Sequence, residues 1–147
     1  MSKKRAASVL FTAEQFTDTK FDDAATKAAF ANQFAAFVEK GFPNHLFTRT
    51  FYERLSNTFG HIAHYNMGGF WAEFFDTLGD RKRFVEVCLL WIPAGDPKYC
   101  YSDVEGALQR WMRRERVLET LTEQLNASVE AAERAQLAMP RLKYPDR

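Results

Sequence analysis

The chain has 147 residues, of which 46% are hydrophobic and 15% aromatic, with fourteen phenylalanines among them. This is the size of one domain, and so many aromatic side chains exclude a disordered or linker-like chain. Twenty lysine and arginine residues against nineteen aspartate and glutamate residues give a net charge of +1, which excludes a global attraction to nucleic acid or to an anionic membrane.

The N-terminal part predicts a short helical turn and then an amphipathic helix. Thr12 and Gln15 have the spacing of a capping box, which indicates a turn over residues 13 to 17. Asp22 or Asp23 caps the following helix, and Gly41 ends it. The core-facing side chains of this helix recur at helical spacing: Phe30, Phe34 and Phe37.

The middle of the chain predicts two more helices and one ambiguous segment. The first covers residues 49 to 66, and Asn66 with the two glycines at 68 and 69 ends it in a left-handed turn. Its predicted core face consists of Phe51, Leu55, Thr58, Phe59 and Ile62. The second begins near Phe70 and ends at Gly79. Residues 81 to 92, capped by Asp80, are apolar nearly all round and fit a buried helix or a strand, of which we favour the helix.

After a loop at residues 93 to 99, the sequence predicts one long helix. Ser102 and Glu105 have capping-box spacing, and Pro140 ends the helix near Met139. At 1.5 Å per residue such a helix spans about 50 Å, against about 38 Å for a compact domain of this size, so it must kink or project. Its apolar spacing predicts a helical partner, through Leu118, Leu121, Leu125 and Val129. The alternative is a frayed, alanine-rich end after residue 127.

Together these elements predict an all-α, single-domain bundle of five or six helices with a long C-terminal helix. We expect an N-terminal arm over residues 1 to 20 and a phenylalanine-rich helical core over 21 to 101. The oligomerisation helix then covers 102 to 139, and a tail covers 140 to 147. No stretch reaches the ~20 apolar residues of a membrane span, and the two cysteines form no disulfide framework. We therefore expect a cytoplasmic protein without a membrane partner.

His61 and His64 raise the question of a metal site. They lie three residues apart, so on a helix both imidazoles reach one point, but His45, Asp96 or Cys100 would have to supply a third ligand. Zinc-protease, nucleophile-elbow and phosphate-loop motifs are missing from the sequence. We therefore expect no catalytic residue, no cofactor and no metal, and keep a metal-dependent enzyme using both histidines as the alternative.

Residues 110 to 116 place four arginines around Trp111. Arginines beside an aromatic ring could bind phosphates or stack on bases, so nucleic-acid binding is a second alternative. An acidic row follows along the same helix, formed by Glu115, Glu119 and Glu123. Two antiparallel copies would place one copy's arginines near the other's glutamates, which favours a homodimer.

Surplus aromatic and arginine side chains are typical of interfaces. The residues that we expect to bind a partner are His61, His64, Tyr65, Trp71, Arg110, Arg113 and Arg114. The stretch "FYERLS" at 51 to 56 with "GGFWAEFF" at 68 to 75 resembles antirestriction proteins of the ArdB and KlcA type. The later "NGG" segment of that family is missing here, and the long C-terminal helix departs from its pattern.

The resemblance implies a phage or plasmid protein that inhibits a host defence by binding, and it transfers no catalytic residue. We therefore predict a non-enzymatic inhibitor of a bacterial defence system, of the anti-CRISPR or antirestriction class. Its expected partner is a host protein or nuclease complex.

Overall fold

The computed structural model describes residues 10 to 59 and 65 to 143, with side chains up to residue 137. Over these ranges the protein is all-α, with six helices and no strand, as predicted. The helices are α1 (Ala24–Glu39), α2 (Arg49–Thr58), α3 (Met67–Phe74), α4 (Leu78–Cys88), α5 (Ser102–Arg114) and α6 (Val117–Lys143). Two short 3-10 turns, Ala13–Gln15 and Asn44–Leu46, precede α1 and α2.

Local capping signals explain the N-terminal elements. The Gln15 side chain accepts the Thr12 N–H at 2.8 Å, which confirms the predicted turn. Asp23 caps α1 by accepting the Thr26 N–H at 2.9 Å. Gly41 ends the helix in the left-handed region, with φ +86°, as predicted.

The core is built around α1. Phe34 and Phe37 are buried on this helix, and their rings meet aromatic rings from the other helices. Ring centres of Phe37 and Phe51 lie 5.0 Å apart, and those of Phe34 and Trp111 lie 6.5 Å apart. Removing one such ring from water stabilises the fold by about 1.5–3 kcal/mol. The core is therefore rich in phenylalanine, and it also includes Phe11 and Phe16 from the segment before α1.

The boundaries between α2 and α4 differ from those predicted. Helix α2 ends at Thr58, not at residue 66, and Asn66 is extended rather than left-handed. The Asn66 side chain accepts the Gly69 N–H and thereby begins α3. Ile62 of the predicted core face lies outside the described residues.

Thr77 likewise begins a new helix, because its hydroxyl accepts the Asp80 N–H at 3.1 Å. The predictions that Gly79 ends a helix and that Asp80 caps the next one are therefore wrong, since both lie in the first turn of α4. The ambiguous segment is helical, as we favoured, but only as far as Cys88.

The sequence predicts one continuous helix over residues 102 to 139, but the structure has two helices there, α5 and α6. Arg116 has φ +55°, and the chain turns there between α5 and α6. The turn lets Val117 and Leu121 pack as buried side chains on the body of the protein. Helix α6 is nevertheless the longest helix and lies at the C-terminal end, as predicted, and it continues past Pro140 to Lys143.

The predicted capping box at the start of α5 is also wrong. Tyr101 is the N-cap residue, and its side chain does not accept a hydrogen bond from any helix N–H. The Ser102 hydroxyl instead donates to the Gly95 carbonyl at 2.9 Å, which closes the loop before α5.

Candidate functional site

A buried lysine organises the region where α1 meets α5. Lys27 has no exposed surface, and its Nζ donates to the carbonyls of Pro97 and Cys100 at 2.9 and 3.0 Å. The same atom lies 3.0 Å from Asp103 Oδ1. The loop before α5 is therefore held onto α1 by one ammonium group. The helical spacing of Lys27 with Phe30 and Phe34 could have predicted this position on the core face.

A cavity lies beside this lysine, between the segment before α1 and the loop before α5. Its volume is about 380 Å³, and its lining residues are Thr19, Phe21, Asp22, Asn57, Tyr99, Cys100 and Tyr101. The Tyr101 hydroxyl donates to Asp22 Oδ2 at 2.8 Å. Burial, reinforced by this bond to the carboxylate, raises the pKa of Tyr101 to about 12.

A second feature is an exposed apolar segment after α4. Leu90, Trp91 and Ile92, which we call the 90–92 patch, are 66%, 55% and 88% exposed. This contradicts the sequence expectation of a buried element over these residues. Three consecutive large apolar side chains at the surface are unusual in a monomeric protein.

Side chains from α5 hold the backbone of this segment. The buried Gln109 amide donates to the carbonyls of Cys88 and Trp91 at 2.8 and 2.7 Å. Arg113 Nη2 donates to the Leu89 carbonyl at 3.2 Å. The last carbonyls of a helix have no partner within the helix, and here they accept hydrogen bonds from Gln109 and Arg113. The Arg113 guanidinium also places a positive charge beside the 90–92 patch.

The predicted partner-binding residues do not form one cluster. Tyr65 and Trp71 belong to an aromatic cluster, with ring centres 5.4 Å from Phe74 and 5.3 Å from Phe47, respectively. Arg110, Arg113 and Arg114 are exposed on α5. Among the described residues, no hydrogen bond, ion pair or ring contact joins the two aromatic residues to these arginines. His61 and His64 lie outside the described residues.

The predicted oligomerisation residues divide along α6. Leu121 is buried and Leu118 half-buried, and both pack on the core of their own chain. Leu125 is half-buried and Val129 is 47% exposed, so these two present apolar surface on α6.

The described part of the chain offers little for metal or thiol chemistry. No group of three or more histidine, cysteine, aspartate or glutamate side chains there is arranged to hold a metal ion. Cys88 and Cys100 are free cysteines, and burial raises the pKa of the Cys88 thiol well above its ordinary value. Cys88 is therefore an inert core residue rather than a nucleophile. No described helix has the length and apolar character needed to cross a membrane.

Comparison with known proteins identifies no relative of this chain. No protein-family model matches the chain, and neither the curated proteins nor the solved structures contain a significant match.

Proposed function

We propose that this protein acts by binding another protein and not by turning over a substrate. The 90–92 patch is the observation that carries this proposal. Covering a large apolar side chain stabilises a protein by about 1.5–3 kcal/mol, and here three adjacent ones stay exposed. Because Gln109 and Arg113 fix the backbone beneath them, the patch is presented in a defined arrangement, which reduces the entropy cost of binding.

The charge beside the patch defines the chemistry of the partner. Arg110, Arg113 and Arg114 are exposed on α5, and Arg113 contacts the backbone at Leu89. Tryptophan and arginine are the residues that most often dominate binding energy at interfaces. The proposed partner is therefore a protein with an apolar surface flanked by carboxylates. Following the antirestriction resemblance, we identify it with a component of a bacterial defence nuclease.

The experiment compares three tagged forms of the full chain expressed in bacteria: wild type, Ile92→Asp and Arg113→Glu. We expect wild type to retain a stoichiometric partner that both variants lose, while circular dichroism shows unchanged helix content. Leu10→Asp is the control, because Leu10 is also an exposed apolar side chain but lies in the segment before α1, away from the 90–92 patch in sequence. A partner retained equally by wild type and Ile92→Asp would refute the patch as the interface.

Two measurements address the alternatives to protein binding. Nucleic-acid binding predicts heparin retention that falls steeply with salt, is lost in Arg113→Glu and is unaffected in Ile92→Asp. A metal-dependent enzyme predicts stoichiometric zinc or iron in the purified protein that disappears when His61 and His64 are both replaced by alanine. Either result would replace the proposed function.

The partners also include a second copy of the chain, joined through α6. Leu125 and Val129 share one face at i, i+4 spacing, and each presents apolar surface. Acidic residues of α6 (Glu119, Glu123, Glu130 and Glu133) oppose the basic residues at the end of α5 (Arg110, Arg113, Arg114 and Arg116). An antiparallel pairing of two α6 helices that crosses at Leu125 and Val129 brings Glu130 and Glu133 of one copy towards the start of the other copy's α6, next to Arg116.

A further inference from the structure

The geometry points to a binding site for a guanidinium group in the cavity formed by Asp22, Phe21 and Tyr99. This cavity is separate from the 90–92 patch, and its side chains are not explained by the proposed function. A guanidinium cation requires two things, an aromatic face on which it can stack and a carboxylate that accepts its N–H groups. The cavity offers both.

The aromatic walls are open. Phe21 is 86% exposed and Tyr99 is 80% exposed, although both line the cavity. Lys20 Nζ lies 5.5 Å from the centre of the Phe21 ring, so this ring already attracts a cation from its own chain. Among the described residues no aromatic or cationic side chain contacts the Tyr99 ring. A planar cation therefore has an aromatic face available at Tyr99.

The carboxylate is held in place and has an unused oxygen. Asp22 Oδ2 accepts the Tyr101 hydroxyl, and the Asp22 carbonyl accepts the Thr19 N–H at 2.7 Å. Asp22 Oδ1 has no hydrogen-bond donor within the described part of the chain. Its nearest cationic atom is Arg54 Nη2 at 3.9 Å, which is an ion-pair distance but too long for a hydrogen bond. Oδ1 can therefore accept an N–H from a ligand.

The charge around the cavity favours a cation over an anion. Residues 18 to 23 include three aspartates and one lysine, which gives −2, and Arg54, which pairs with Asp22, reduces the local charge to −1. Lys27 is paired with Asp103, so it adds no net positive charge. Arg54 opposes the ligand from the α2 side, and for this reason we expect millimolar rather than micromolar affinity for an isolated arginine side chain.

The test is an amide-resolved NMR titration of the full chain with N-acetyl-arginine amide. We expect saturable shifts at Thr19, Asp22 and Tyr99, and no saturable binding of the matched norleucine and glutamate derivatives. Asp22→Asn should weaken binding at least ten-fold while its side-chain carbonyl still accepts the Tyr101 hydroxyl. Tyr99→Ala should weaken it several-fold, and Ile92→Asp should leave it unchanged. Equal binding by Asp22→Asn, or equal binding of the norleucine or glutamate derivative, would overturn the site.

Two further probes distinguish the source of the guanidinium group. An arginine flanked by glycines in a capped tripeptide represents a protein partner, and free arginine represents a small molecule. Tighter binding of the tripeptide supports an arginine side chain of another protein, whereas tighter binding of free arginine supports a small-molecule ligand. Failure at this cavity leaves the 90–92 patch untouched, because Ile92→Asp and Asp22→Asn act at different places.

Discussion

At the residue scale, Lys27 carries a charge without any contact with water. Removing an ammonium group from water costs several kcal/mol, and an ion pair offsets this only when the remaining hydrogen-bonding capacity is used. Here Asp103 supplies the opposite charge, and the carbonyls of Pro97 and Cys100 accept the other N–H groups. One side chain thus satisfies three groups of the segment 97 to 103, which lies 70 to 76 positions away from Lys27 in sequence.

Replacing this lysine should be strongly destabilising. Lys27→Met leaves Asp103 as a largely buried carboxylate without its cation, and we expect the free energy of unfolding to fall by about 3–5 kcal/mol. Urea denaturation measures the change. Lys82→Met is the matched control, since Lys82 forms a more exposed i, i+4 pair with Glu86 and should change stability by less than about 1 kcal/mol. Similar losses in both variants would contradict the role assigned to Lys27.

Tyr101 should make stability depend on alkaline pH. Its pKa is raised from 10.0 to about 12, so the folded state retains the phenolic proton over a range where the unfolded state loses it. The stabilisation is fully present below pH 10 and is lost as the pH rises from 10 to 12. We expect wild type to lose more free energy of unfolding over this window than Tyr101→Phe. Tyr99→Phe is the control, because Tyr99 is exposed, and its stability should depend on pH as that of wild type does. If the free energy of unfolding of wild type and Tyr101→Phe falls equally with pH, the raised pKa is contradicted.

At the element scale, the turn at Arg116 separates α5 from α6, although the spacing of apolar residues predicts one continuous helix. No glycine or proline marks this position, and a left-handed arginine is unfavourable by roughly 1 kcal/mol. The compensation is tertiary, because Val117 and Leu121 are buried only when the chain turns before them. A sequence pattern does not contain this information.

Arg116→Gly tests the break directly. Glycine adopts positive φ without steric cost, so we expect this variant to be as stable as wild type or up to about 1 kcal/mol more stable. In a continuous helix the same change would instead cost about 1 kcal/mol. Arg116→Ala is the control, because alanine favours a continuous helix but not a left-handed turn. Thermal unfolding of the three proteins distinguishes the two cases by the sign of the Arg116→Gly effect.

The predicted helix boundaries succeed where one local signal acts alone. Gly41 is correctly predicted to end α1, and the predicted N-cap, Asp22 or Asp23, is correct to within one residue, since Asp23 is the cap. The sequence pattern does not indicate Asn66 and Thr77 as helix starts, because a glycine two positions after each of them is also typical of a helix end. Which interpretation applies depends on where Phe70 and Phe74 must reach the core, and this is a property of the whole fold.

The candidate sites were less predictable than the helices. Asp22 and Tyr101 are 79 positions apart, and only the packing of α1 on α5 brings them into hydrogen-bond distance. The apolar run at residues 81 to 92 predicts a buried Ile92, but Ile92 is exposed. Helix α4 ends at Cys88, so Ile92 lies beyond the helix that packs on the core. Arg113 was identified from its charge, yet its contact with the Leu89 carbonyl follows from tertiary structure alone.

At the scale of the whole molecule, the charges at the C-terminal end are separated along the chain. Residues 110 to 116 contain four arginines and one glutamate, whereas residues 117 to 137 contain four glutamates and one arginine. Within one chain the two segments follow each other along α5 and α6. In an antiparallel pair of α6 helices that crosses at Leu125 and Val129, Glu130 and Glu133 of each copy approach the start of the other copy's α6, next to Arg116.

The homodimer predicts a solution mass of twice the 17.0 kDa chain, measured by light scattering after size-exclusion chromatography. Leu125→Glu with Val129→Glu should give a monomer without loss of helix content, because these side chains are not part of the buried core. Leu90→Glu, an equally drastic change at the 90–92 patch, should leave the dimer intact. High salt should shift the equilibrium towards monomer, since exposed ion pairs are screened. A wild-type mass of 17.0 kDa at high protein concentration would exclude this dimer and leave the 90–92 patch as the interface to test.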